Sequence, residues 1–173
     1  MSATHQTSHF ERLGLPRRFA VDLAAMEREY LSRSRELHPD FHQLGADAEQ
    51  RASLELSSAL NEAYGVLRDS FKRADYLLML QGGPSAAELK GMPPAFLMEM
   101  LEIREEIEAL RSSPCDARVA ELGEQLTARR DAVMAEVGPL FDNNELRTIR
   151  ERLNAVKYLN GLIRDLHADG SGT

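Results

Sequence analysis

The chain has 173 residues, with 21 Lys and Arg against 28 Asp and Glu and a formal net charge of -7. A chain of this length buries a core without disulfides or metal staples, and its acidic total argues against a general binder of nucleic acid or anionic membrane, both of which need a concentrated cationic surface. The single cysteine, Cys115, excludes an internal disulfide and cannot by itself hold zinc or an iron–sulfur cluster.

The alphabet is helical: 25 Leu and 21 Ala against 6 Val, 4 Ile and 5 Thr. An all-α fold is expected. No apolar run approaches a membrane span, and Met1 to His9 lacks the apolar segment of a secretory signal, so a soluble cytoplasmic protein is expected.

In chain order, residues 1–9 show no apolar periodicity and are expected to be disordered. A short apolar turn, Phe10 to Leu15, ends at Pro16. Asp22 stands as an N-cap before Leu23, Met26, Tyr30, Ser34 and Leu37, whose spacings of three and four predict one amphipathic helix. It must stop near Leu37, because Pro39 pushes His38 out of the helical region. Asp47 and Gln50, in capping-box spacing, open a second long helix carrying Leu56, Leu60, Ala63, Tyr64 and Leu67. Phe71, Ala74, Leu77 and Leu78 predict a short helix after it. Gly82-Gly83-Pro84 and Gly91-Met92-Pro93-Pro94 bracket a predicted linker over 81–93, which separates a domain over 10–80 from one over 94–168. Three helices are predicted in the second domain, Pro94 to Arg111, Asp116 to Val137 and Asn144 to His167. They are divided by Ser112-Ser113-Pro114 and Gly138-Pro139, with Asp116 and Asn144 as N-caps. An antiparallel three-helix bundle with a flexible tail over 169–173 is the economical arrangement.

The chain has no nucleophile elbow, phosphate-cradling glycine loop or thiolate cluster, so it does not read as an enzyme and no cofactor is expected. His38 and His42 have the spacing of two metal ligands on one helical face, but Pro39 between them breaks that helix. No metal site is expected, and a metal-responsive protein using His38, Asp40 and His42 is the rival reading. Cys115, beside Pro114, has no evident cationic neighbour to activate it and reads as an incidental loop residue. What remains is His38-Pro39-Asp40 in the turn between the two long helices. Proline stiffens that turn and projects the imidazole and the carboxylate toward solvent, an arrangement suited to recognition.

Together with this tripeptide, the stretch Asn61-Glu62-Ala63-Tyr64-Gly65-Val66-Leu67-Arg68-Asp69-Ser70-Phe71-Lys72-Arg73-Ala74-Asp75-Tyr76 resembles the third-helix signature of J-domain proteins, and Phe10 to Leu15 looks like their first helix. The resemblance implies a DnaK-type ATPase chaperone as partner, contacted and stimulated by His38, Pro39 and Asp40. J domains add a basic face on the preceding helix. Here Arg28 and Arg35 lie opposite the Leu23, Met26, Tyr30 and Leu37 stripe, and Arg33 lies nearer its edge. Glu27, Glu29 and Glu36 dilute this patch.

In the second half, Phe96, Met100, Ile103, Ile107 and Leu110 account for a core-facing stripe, which leaves Leu97, Met98 and Leu101 over. These fall on the outer face beside Glu102 and Glu105. An apolar patch rimmed by carboxylates is a candidate protein-binding site, with packing against the first domain as its alternative. In the last helix Leu146, Ile149, Leu153, Val156 and Ile163 form the expected core stripe, and Tyr158 is expected to point nearly opposite as an exposed anchor.

An N-terminal J domain, a short linker, the stretch Ala95-Phe96-Leu97-Met98-Glu99-Met100-Leu101-Glu102-Ile103-Arg104-Glu105-Glu106 and a three-helix bundle resemble the HscB family, co-chaperones of iron–sulfur cluster assembly. That resemblance implies binding of the scaffold protein IscU at Leu97, Met98, Leu101, Glu102, Glu105 and Tyr158, and stimulation of the chaperone HscA through the J domain. The family commonly carries Phe where Tyr158 stands. A general J protein serving unfolded clients is the other reading of the same loop.

Overall fold

The computed structural model describes residues 7–37 and 47–168, which are helical or irregular with no strand among them. The helices are α1 (His9–Arg12), α2 (Leu23–Glu36), α3 (Asp47–Arg68), α4 (Ser70–Leu80), α5 (Pro94–Ser112), α6 (Asp116–Asp142) and α7 (Leu146–His167). The all-α expectation holds. Two compact units divide the chain, Met1–Leu77 and Leu78–Thr173.

In the first unit, Asp22 caps α2 as its position predicts, its carboxylate accepting from the Ala25 N–H at 3.0 Å. Helices α2 and α3 are joined by the stacked rings of Tyr30 and Tyr64, 4.1 Å between centroids, and by the Tyr30 hydroxyl donating to Asn61 Oδ1 at 3.0 Å. Phe10, Leu13, Met26, Leu60, Ala63, Leu67, Ala74 and Leu77 are buried. The expectation of disorder through residue 9 is corrected for Ser8 and His9. Ser8 and Glu11 form a reciprocal capping box around the start of α1, and the His9 ring stacks 4.3 Å from that of Tyr76. Two side-chain hydrogen bonds and a ring stack offset the entropy of ordering this short turn.

In the second unit, α7 packs against both α5 and α6. One core cluster joins Met100 and Ile107 of α5, Leu122 and Leu126 of α6, and Leu159, Leu162 and Leu166 of α7. Helix α6 does not end before Gly138-Pro139 as expected but continues to Asp142. A proline inside a helix costs about 3 kcal/mol. Continuing past it places Phe141 in the core, and the roughly 1.5–3 kcal/mol from that burial offsets the cost. The expected caps also shift by one residue: Cys115 and Glu145 hold the N-cap positions, while Asn144 takes a left-handed φ of 57° in the turn before α7.

The segment predicted as a linker over 81–93 belongs to the second unit. Gly82, with φ 75°, turns the chain off α4, and the Gly83 N–H donates to the Leu78 carbonyl at 2.9 Å. Two side chains of α7 then hold the segment: Arg150 Nε donates to the Pro84 carbonyl at 2.9 Å, and Asn154 Nδ2 to the Leu89 carbonyl at 2.7 Å. The division between units accordingly falls after Leu77, inside α4, rather than at residue 81. The turn glycines and prolines mark where the chain bends; they carry no information about what it then packs against.

Candidate functional site

Two surfaces carry the predicted residues, one in each unit. In the first, His38, Pro39 and Asp40 lie outside the described residues, as does His42. Leu37, the residue immediately before them, is described. The Leu37 N–H donates to the Arg33 carbonyl at 3.0 Å, closing α2, and the buried Ser53 hydroxyl of α3 donates to the Leu37 carbonyl at 2.9 Å. Ser53 thus ties α3 to the residue immediately before His38. No sequence spacing marks it for that role.

On α2, Arg28 and Arg35 are exposed, as their positions on the helix predict. Arg33 differs. Its Nε donates to Glu29 Oε1 at 2.6 Å and its Nη1 to the Arg12 carbonyl at 2.5 Å, so the guanidinium fastens α2 to the end of α1. Gly14, whose φ of 64° favours glycine, turns the chain after α1 beside the end of the Arg33 side chain. Arg73, in the J-domain-like stretch, is likewise internal. It lies over the Phe19 ring and donates to the carbonyls of Phe19 and Leu67, and burial lowers its pKa.

In the second unit the outer face of α5 presents Leu97, Met98 and Leu101 at 38%, 65% and 54% exposure, while Met100 and Ile107 of the same helix are buried. The predicted division between core stripe and surplus apolar residues is the observed one. The acidic residues of α5 divide as clearly. Glu99 pairs with Arg129, Glu106 with Arg118 at 2.5 Å and Glu108 with Arg111 at 2.7 Å, whereas no cation among the described residues pairs with Glu102 or Glu105. Hydrogen bonds that the Arg118 guanidinium donates to Glu106 and then to Glu121 hold its pKa above the ordinary range. The carboxylates of α5 left without a cation are those beside the apolar patch.

Tyr158 corrects the sequence reading. It is half-buried against the bundle core, its ring edge-on to Phe96 at 6.3 Å and 77°, with the Arg104 guanidinium 5.9 Å from its centroid. The reason is the breadth of the buried face of α7: Leu159, Leu162 and Leu166 are core residues that the expected stripe omitted, and Ile163 is only partly buried. A helix in contact with two neighbours buries more than one stripe. Tyr158 nevertheless lines an open cleft, together with Arg104. Phe96 is in turn covered by Arg129, whose ion pair with Glu99 crosses from α6 to α5 over thirty residues of sequence, a distance at which no local pattern announces a contact.

Among the described residues no helix is long and apolar enough to cross a membrane, and no group of three His, Cys, Asp or Glu is placed to hold a metal ion.

Comparison with known proteins adds three findings. The family described as the HSCB C-terminal oligomerisation domain matches residues 92–167. The chain is 35% identical over 166 residues to the co-chaperone protein HscB homolog of Burkholderia multivorans, covering 93% of each sequence, and 35% identical over 162 residues to that of Paraburkholderia xenovorans, covering 91% of this chain and 90% of the relative. Among solved structures it is similar to the chaperone HscB from Vibrio cholerae, at a TM-score of 0.81 with 25% identity, covering 93% and 96% of the two chains. It shares its fold with human co-chaperone HscB, at a TM-score of 0.85 with 24% identity, covering 98% and 85%.

Proposed function

The chain belongs to the HscB family of co-chaperones, and from that premise we propose that it couples an iron–sulfur scaffold to a DnaK-type ATPase chaperone in the cytoplasm, without chemistry of its own. The α5 face binds the scaffold IscU through Leu97, Met98 and Leu101, with Glu102 and Glu105 meeting its cations and Tyr158 closing one edge. The first unit acts as a J domain. Its loop of His38, Pro39 and Asp40, steered by Arg28 and Arg35, stimulates ATP hydrolysis by HscA, and cluster maturation follows from transfer of the client into the chaperone's tight-binding state. Arg33 supports this surface by holding α2 against α1.

The observation that carries the scaffold half is the contiguous exposure of three large apolar side chains beside two unpaired carboxylates, on a helix whose other apolar residues are largely accounted for by the core. Replacing Leu97, Met98 and Leu101 together by Ala is expected to weaken scaffold binding by tenfold or more in calorimetry, on the order of 1.4 kcal/mol or greater, with the helical signal and unfolding midpoint retained. Unchanged affinity would remove this face from the binding account.

A further inference from the structure

The second unit is acidic, with a net charge of -5 over residues 81–173, yet its cations are not evenly matched. Arg111, Arg118, Arg129, Arg130, Arg147 and Arg152 each pair with a carboxylate. A cleft of about 370 Å³ between α5, α7 and the segment before α5 gathers the contrary set: Lys90, Arg104, Lys157 and Arg164 around Tyr158, with Asp165 as the single carboxylate. Among the described residues no carboxylate pairs with Lys90, Arg104 or Lys157, and Arg164 makes only a loose contact with its neighbour Asp165 at 3.8 Å. The fold holds them there. Asn154 binds the Leu89 carbonyl and so fixes Lys90 at the rim, and Arg104 rests on the Tyr158 ring.

Position gives the cleft its meaning. At about 100° per residue, Arg104 borders Leu97 on the side toward the core stripe, while Glu102 borders Met98 on the other side and Glu105 falls between Leu101 and Met98. The apolar patch therefore has a cationic edge as well as an acidic one. Four cations gathered around a single carboxylate repel one another, and an incoming anion relieves that repulsion.

We propose that this cleft receives carboxylate side chains of the same scaffold that the α5 face binds, fixing its orientation across the patch. The inference rests on the scaffold reading and adds the chemistry of the second edge: cations of the scaffold meet Glu102 and Glu105, and its carboxylates meet Lys90, Arg104 and Lys157. Opposite charges on the two edges reject a scaffold docked the other way round.

The test uses the full chain and purified IscU, with calorimetric affinity measured at several salt concentrations. The variant Lys90→Glu/Lys157→Glu changes two exposed side chains outside the core. It is expected to weaken binding roughly tenfold at low salt and to flatten the salt dependence, whereas Leu97→Ala/Met98→Ala/Leu101→Ala weakens binding at every salt concentration and keeps the slope. If the lysine variant binds like the wild type while the apolar variant loses affinity, the cleft has no part in docking and the scaffold reading stands. If neither variant changes, the scaffold reading itself falls. Inorganic phosphate serves as the small-anion probe: stoichiometric phosphate binding that leaves IscU affinity unchanged would make the cleft a site for free anions and overturn the proposal.

Discussion

His9 shows how one side chain makes the first unit sensitive to pH. Its ring is stacked on Tyr76, its backbone N–H donates to the Tyr76 hydroxyl at 3.1 Å, and its ring Nδ1 is buried without a partner. Burial lowers its pKa below 6.5, with Arg12 acting in the same direction and Glu62 opposing. The unfolded chain therefore takes up a proton before the folded chain does. Stability is complete above about pH 6.5 and falls as the pH drops from there toward the lowered value, below which the difference is constant. Urea midpoints measured between pH 7.5 and 5 should show this decline. His9→Phe, which keeps the stack and removes the titration, should flatten that part of the profile, and an unchanged profile would assign the pH dependence to other groups. The arginines of α2 differ at the same scale: Arg28 and Arg35 are exposed, whereas Arg33 is occupied by Glu29 and the Arg12 carbonyl.

At the scale of the element, α5 separates stability from recognition within two adjacent residues. Met100→Ala should cost about 2–5 kcal/mol, because it empties a fully buried site among Leu159 and Leu162, while Leu101→Ala should change stability by less than about 0.5 kcal/mol. Denaturant titration of the two variants checks this, and equal losses would mean that Leu101 packs inside the bundle. That division was legible in the sequence, because a single helix packed on one side leaves a clear remainder when its core stripe is subtracted. Helix α7 was less legible. It is buried round more of its circumference, so the stripe ending at Ile163 missed Leu159, Leu162 and Leu166 and turned Tyr158 outward. The start of α1 had a readable signal in Ser8 and Glu11, three residues apart, but it was masked by the polar stretch before it. Contacts such as Glu99 with Arg129, Ser53 with Leu37 and Arg150 with Pro84 depend on tertiary placement, for which a linear pattern has no term.

For the whole molecule, the distribution of charge fits a division of labour. Residues 1–80 carry a net -2 and residues 81–173 a net -5, so the acidity gathers on the unit proposed to hold the scaffold and leaves the unit proposed to meet the chaperone closer to neutral. With one exposed cysteine, Cys115, the chain has no thiolate set of its own for an iron–sulfur cluster, so in the proposed function the cluster stays on the scaffold. On the proposed function, two binding surfaces on one polypeptide would raise the effective concentration of client at the chaperone without any added contact between the two surfaces. The most direct test measures HscA ATPase rate against co-chaperone concentration, with and without IscU. Wild type should reach half-maximal stimulation at a concentration several-fold lower when IscU is present. Leu97→Ala/Met98→Ala/Leu101→Ala should stimulate normally without IscU and show no such shift, and His38→Gln should not stimulate at all. Stimulation by His38→Gln equal to wild type, or an IscU-induced shift in the apolar variant as large as in wild type, would contradict the account.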